Sequence, residues 1–214
     1  MLVIEANLAT RGFASCVVGH TQSYDHASMP GRLHGARGFR RAVASDAPQL
    51  VMLVRSAYRG SVSRQGWTSE ADLVGGDRID EGQVLDLIER AGSVLLLLDE
   101  GDGVLACCHL EDRGDGVAFF GTFAVEPRQQ GRGVGRRVMA EAEERAKDAF
   151  GAGAMEMTVL AQQEALIRWY ERLGFRRTGE TRRFPADARH AIPRRDGLYF
   201  VVLRKYLNDE RPRQ

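Results

Sequence analysis

The chain has no apolar run approaching the ~18 residues that a membrane-crossing helix requires, so a helical membrane protein is excluded. Cysteine is scarce: Cys16, Cys107 and Cys108 make neither a disulfide framework nor a metal-ligand spacing. Adjacent Cys107 and Cys108 would face opposite sides of a strand, which suits a reduced interior. Charge of one sign is not in excess, since 30 Lys and Arg stand against 29 Asp and Glu, a net +1. A balanced chain gives no electrostatic case for nucleic acid or an anionic membrane surface. The first residues lack the basic start and apolar core of a secretory signal. A cytoplasmic protein with a small-molecule or peptide partner is therefore expected.

What is present is organised around residues 117–150. The apolar run 117–125, closed by Glu126-Pro127, predicts a buried strand. A helix follows, with Val134, Val138, Ala142 and Ala146 on one face and Glu141/Arg145 and Glu143/Lys147 spaced for ion pairs on the other. Between them lies Gln130-Gly131-Arg132-Gly133-Val134-Gly135-Arg136. Alternate glycines let the backbone approach a ligand, and the first amides of a helix lack partners of their own. The helix dipole and Arg132, Arg136 and Arg137 make an anion the natural guest. A P-loop would need Lys after these glycines and a dinucleotide fingerprint would need Gly at 136, so neither reading holds.

Gln130, Gly133 and Gly135 instead form Gln-x-x-Gly-x-Gly, which resembles the pyrophosphate loop of the GNAT superfamily of acyl-CoA-dependent N-acyltransferases. Residues 163–175, QEALIRWYERLGF, resemble that superfamily's second marker, a short helix carrying a tyrosine and ending in Tyr-x-x-x-Gly-Phe. The resemblance spans residues 39–206. It implies an α+β (mixed α/β) fold, a mixed sheet of about seven strands flanked by about four helices, with the fourth and fifth strands splayed at one end. A splay exposes strand edges to which the amide-bearing pantetheine arm can pair. The resemblance assigns the backbone of Phe123, Ala124 and Val125 to pantetheine and thioester. It assigns the amides of Gly131, Arg132, Gly133, Val134, Gly135 and Arg136 to the pyrophosphate. Gln163 stands where the superfamily often has Asn, a further cofactor contact. The implied co-substrate is acetyl-CoA, without a metal, and a homodimer is compatible with it.

The remaining chain is read in order. Residues 1–38, with His20, His26 and His34, show no periodicity and are expected to be a flexible extension to a domain at 39–207, with a charged tail at 208–214. A strand is expected at 39–44. A helix then starts at Ser45-Asp46-Ala47-Pro48-Gln49, where Asp46 and Gln49 have capping spacing, and carries Leu50, Leu53, Val54 and Ala57 inward. Residues 59–67 read as loop. A second capping box, Asp80 and Gln83, opens a helix at 81–91. Strands are expected at 94–98, 104–110, 154–160, 175–183 and 198–207, with the polar loop 182–196 lying over the acceptor pocket.

Trp67, Glu70 and Asp72, on a candidate helical turn, combine an aromatic wall with carboxylates and are the expected amine-binding residues, since a water-linked carboxylate there could take the ammonium proton. The alternative is that Thr68 or Ser69 caps a turn while Trp67 fills core. The implied chemistry is direct attack of a neutral primary amine, of a small molecule or peptide, on the thioester. Tyr170 is the candidate acid for the departing thiolate. Some relatives carry their base on the fifth strand at the position of Thr158, which cannot serve; Glu156, two residues earlier on that face, is the candidate, with His109 or Glu111 as further ones. No Cys or Ser has a nucleophile setting, so a covalent acyl-enzyme is not expected. Protein N-terminal or lysine acetylation and a catalytically silent acyl-CoA-binding module are the alternative functions.

Overall fold

The computed structural model describes residues 38–101, 103–186 and 189–208. The expected extension, with Cys16 and its three histidines, the tip of the turn at Asp102 and the charged tail past 208 lie outside the described residues. The chain runs β1 (Gly38–Arg41), α1 (Ala47–Tyr58), α2 (Gly60–Ser63), β2 (Val74–Gly75), α3 (Glu81–Glu89), β3 (Ser93–Asp99), β4 (Val104–Asp112) and β5 (Val117–Val125). It continues through α4 (Val134–Phe150), β6 (Ala154–Leu160), α5 (Glu164–Arg172), β7 (Arg176–Arg183), β8 (Ile192–Pro193) and β9 (Tyr199–Tyr206).

Seven strands form one mixed sheet in the order β1-β3-β4-β5-β6-β9-β7. β5 and β6 are parallel, joined by the α4 crossover, and their other neighbours are antiparallel. Each face of the sheet has its own core. Cys108 packs with α4 and α5 on one face, while Cys107 packs with α1 and α3 on the other, as alternation along β4 requires. All four periodic residues of α4 are buried, and so are Leu50, Leu53, Val54 and Ala57 of α1.

The splay is visible in the register. β5 pairs with β6 only at Val117, Ala118 and Phe119, and its last six residues have left β6 behind. At the same point β5 carries a bulge: Cys107 opposes Ala124 while His109 opposes Gly121, so Thr122 and Phe123 together face Cys108. Thr122 takes φ +42°, a costly conformation for a β-branched residue, and its buried hydroxyl has no hydrogen-bond partner among the described residues. Bulges bend the strand that carries them, which accounts for β5 turning away from β6.

Several local expectations are corrected. Residues 59–67 are not all loop: they contain the four-residue α2, one of five helices among the described residues. The first strand ends at Arg41, and residues 44–46 form a 3-10 turn. Asp46 does not cap α1 through its side chain; Arg40 grips its carboxylate through two hydrogen bonds of 2.7 and 2.8 Å. Of residues 67–73, the expected helical turn forms only from Glu70, whose carbonyl accepts from Val74 N–H at 2.9 Å, while 67–69 are irregular. The polar loop before β9 contributes β8, which pairs with β2 in a second small sheet. On α4, Glu141 and Arg145 meet at 2.8 Å, but Lys147 pairs with Glu144 while Glu143 is taken by Lys205 of β9.

Candidate active site

The splay opens a cleft of ≈ 340 Å³ between the end of β5, the turn into α4, helix α5 and the segment 67–70. The glycines of the turn differ in function. Gly131 and Gly133 take φ +77° and +84°, and a Cβ on either would meet nothing within 4 Å. They serve the left-handed backbone and leave open space on the cleft side. A Cβ on Gly135 would instead lie 3.3 Å from the Phe123 ring and 3.4 Å from Trp169. That glycine lets α4 sit against the Phe123–Trp169 stack, whose centroids are 6.3 Å apart.

Among the described residues, the N–H groups of 131–135 donate to no backbone carbonyl; the first to do so are Arg136 and Arg137, both to Gly133. These unpaired amides, at the positive end of a 17-residue helix, suit the pyrophosphate of an acyl-CoA. Arg136 lines the cleft, whereas Arg132 is exposed outside its wall and Arg137 is held by Glu100 at 2.9 Å.

Phe123 and Val125 line the cleft, while the Ala124 side chain turns into the opposite core. The Phe123 carbonyl accepts from the Tyr58 hydroxyl at 2.6 Å, and the Val125 carbonyl accepts from Gln130 Nε2 at 3.3 Å. The Val134 side chain is core. Gln163 is not in the cleft wall: its Nε2 donates to the Ser69 carbonyl at 2.8 Å and its Oε1 accepts from Thr68 Oγ1 at 3.4 Å.

Tyr170 lines the cleft, packed edge-on against Trp169 and Phe175. Among the described residues nothing hydrogen-bonds its hydroxyl, and burial, then the negative potential of Glu70 and Cys108, pushes its pKa up. A phenol so placed keeps its proton and is suited to giving it to a thiolate.

Glu70 lines the same cleft, its side chain 18% exposed. Burial raises its pKa, against the opposing pull of Arg59, whose Nη1 lies 3.0 Å from Oε2. Glu70 is also electrostatically coupled to Tyr58 and Tyr170. Trp67 is half exposed at the rim, its centroid 6.3 Å from Trp169, so it is a wall of the cleft and not core. Ser69 supplies the turn cap by accepting from Ala71 N–H at 3.1 Å.

The other candidate carboxylates are elsewhere. Asp72 points outward to Arg64 at 2.7 Å. Glu156 sits on the paired half of β6, beside Phe119, and Arg204 binds its carboxylate at 2.6 and 3.1 Å. It is absent from the cleft wall. Glu111 is bound between Arg90 and Arg113, and His109 is buried against Ser93 at 2.7 Å with its pKa lowered to about 3 by burial. The sequence reading did not find Tyr58 or Arg59. Their only sequence signal was a position at the end of an amphipathic helix, and what they reach is more than 10 residues away in the chain.

The model of the acetyltransferase (GNAT) family matches residues 62–175, just over half of the chain, and so takes in both the glycine turn and the tyrosine helix. The chain belongs to the GNAT family. A stretch of 71 residues is 39% identical to an uncharacterized protein of Mycobacterium leprae, covering 33% of this chain and only 19% of that relative's length. Among solved structures, the ribosomal-protein-S18-alanine N-acetyltransferase of Escherichia coli superposes with a TM-score of 0.60 at 14% identity, over 84% of this chain and 99% of its own. The yncA protein of Salmonella typhimurium, solved with its cofactor acetyl-CoA, gives 0.58 at 18%, over 84% and 98%. A spermidine N-acetyltransferase chimera from Vibrio cholerae gives 0.57 at 11%, over 79% and 94%. These likenesses show the GNAT fold. Among the described residues no group of His, Cys, Asp and Glu could hold a metal ion, and no helix is long and apolar enough to cross a membrane.

Proposed function

We propose that this protein transfers the acetyl group of acetyl-CoA to a primary amine of a small molecule or peptide, by direct attack in a ternary complex. One observation carries the reading: the Tyr170 hydroxyl and the Glu70 carboxylate line one cleft with the unpaired amides of the glycine turn. The open space beside Gly131 and Gly133 accommodates the pyrophosphate, and the released end of β5 lies where an amide-bearing arm can follow it.

At the far end the two indoles and Glu70 suit an ammonium group. Glu70, at a raised pKa, takes the ammonium proton directly or through one water, which frees the nitrogen lone pair for attack on the thioester carbon. As the carbon–sulfur bond breaks, Tyr170 gives its proton to the sulfur, and the second proton, shed by the acylated nitrogen, restores the phenol by way of solvent. Arg59 holds Glu70 in place and limits how far its pKa rises. Buried unpaired Cys107, pushed up to about 12 by burial, takes no part, and it supports assignment to a reducing cytoplasm.

The test is thiol release from acetyl-CoA across a panel of amines, with CoA binding measured separately by calorimetry. Thiol release that depends on an amine is expected. Tight CoA binding with no turnover on any amine, peptide or protein would replace this reading with that of an acyl-CoA-binding module.

A further inference from the structure

Gln130 opens the glycine turn and lines the cleft, and its side-chain amide is bonded to backbone on both sides. Its Oε1 accepts from the backbone N–H groups of Trp67 at 2.8 Å and Thr68 at 3.3 Å, and its Nε2 donates to the Val125 carbonyl at 3.3 Å. This one amide joins the acceptor segment to the end of β5. Gly66 confirms how close the approach is: a Cβ there would stand 2.6 Å from Gln130 Oε1. Gln163, at the N-terminal end of α5, holds Thr68 through its hydroxyl and Ser69 through its carbonyl. Segment 67–69 is thus fixed at both sides by amides from the two elements that carry the cofactor turn and Tyr170, immediately before Glu70.

We infer that Gln130 and Gln163 are positioning residues for the amine site: together they hold the backbone of residues 67–69 so that Trp67 and Glu70 face the acyl group. The inference rests on the transferase reading for its kinetic consequence, but the clamp itself does not. A carbonyl oxygen that accepts two consecutive backbone amides fixes a turn much as a side-chain cap fixes a helix end. Residues 67–69 have no strand or helix of their own to hold them. Loss of the clamp lets Glu70 depart from its position beside Tyr170 while leaving the amides of 131–135 untouched.

The experiment uses the full chain and four variants: Gln130→Met, which keeps volume and removes both polar functions; Gly66→Ala, which pushes the amide aside without removing it; their combination; and Gln163→Met. Hydrogen exchange of the peptide containing Trp67 and Thr68 should quicken about tenfold or more in either single variant, as expected for amides losing their acceptor. kcat/KM for the amine should fall about tenfold, with Kd for CoA within about twofold of wild type. The combined variant should be no worse than the poorer single one, since both act through the same contact. Gln163→Met should give the same split between amine and CoA independently.

Unchanged exchange at Trp67 and Thr68 would overturn the clamp. A loss of CoA affinity matching the loss in kcat/KM would make Gln130 a cofactor-gripping residue instead. If the wild type acetylates no amine, the transferase reading fails, while the exchange and CoA measurements still decide whether the clamp exists.

Discussion

The Tyr58 hydroxyl donates to the Phe123 carbonyl across 2.6 Å, on the part of β5 that no longer has β6 beside it. Burial holds the phenol neutral, well above its ordinary pKa, and the Arg78 guanidinium lies over its ring at 4.4 Å. The bond ties α1 to the bulged strand at the mouth of the cleft. Tyr58→Phe should cost about 1 kcal/mol of stability, the worth of one such hydrogen bond. Urea unfolding with an unaltered midpoint would show that the contact does not hold the strand.

Gly133→Asp places a side chain and a negative charge where a backbone at φ +84° borders open space. Strain and charge oppose the same ligand. Calorimetry with CoA should show no heat for this variant while its circular dichroism stays native. Normal CoA binding would remove the turn from the cofactor site.

Tyr170→Phe deletes a hydroxyl that has no partner among the described residues, so folding should be nearly unaffected. Turnover should fall by about 10² or more, the usual weight of a positioned acid, with CoA affinity retained. Equal turnover in the two proteins would end its role as proton donor.

Glu70 titrates above the ordinary carboxylate because burial disfavours its charge. As pH falls through that raised pKa, Glu70 gains a proton and can no longer accept one from the amine, so kcat/KM should have an acidic limb displaced upward from the usual Glu range. Glu70→Gln should lower the plateau and leave only the limb set by the amine itself. A limb that follows the pKa of whichever amine is supplied, in wild type and variant alike, would assign the proton to water.

His109 offers a stability test away from the cleft. The single hydrogen of Ser93 Oγ goes to the Leu87 carbonyl at 2.6 Å, so the bond at 2.7 Å has His109 Nε2–H donating to Ser93, with Nδ1 unprotonated and without a partner among the described residues. Burial lowers the folded pKa to about 3 from 6.5. Between those values the unfolded chain binds a proton that the folded chain does not, so stability present above pH 6.5 is lost on acidification, at up to about 1.4 kcal/mol per pH unit from this group. His109→Gln should flatten that slope in urea unfolding at pH 4 to 7, and an unchanged slope would clear His109 of the effect.

Much of this architecture was legible along the chain. Residues 117–125 and 154–160 read as strands because apolar runs between turn residues are local signals, and β5 and β6 occupy those residues. The capping box of Asp80 and Gln83 is formed by the two bonds its spacing calls for, at 2.9 and 3.1 Å. Less legible were contacts whose partners are far apart in sequence. Asp46 looked like a cap and is instead held by Arg40 of β1. The β2–β8 pair joins two-residue strands more than 100 positions apart, too short for any periodicity to show.

The glycine turn and its helix start were readable along the chain, because glycine spacing and helix polarity are properties of a few adjacent residues. So were the tyrosine helix and the two-faced sheet. Which carboxylate shares a cleft with that tyrosine depended on how distant segments pack together. Glu70 and Glu156 have the same chemistry in the sequence, but the bulge at Thr122 opens the sheet toward Glu70, while Arg204 on the neighbouring strand neutralises Glu156. The same holds for Gln130 and Gln163, whose hydrogen bonds cross more than 60 and 90 residues of chain. Contacts of that range depend on how strands and helices are brought together, and neither spacing nor composition records it.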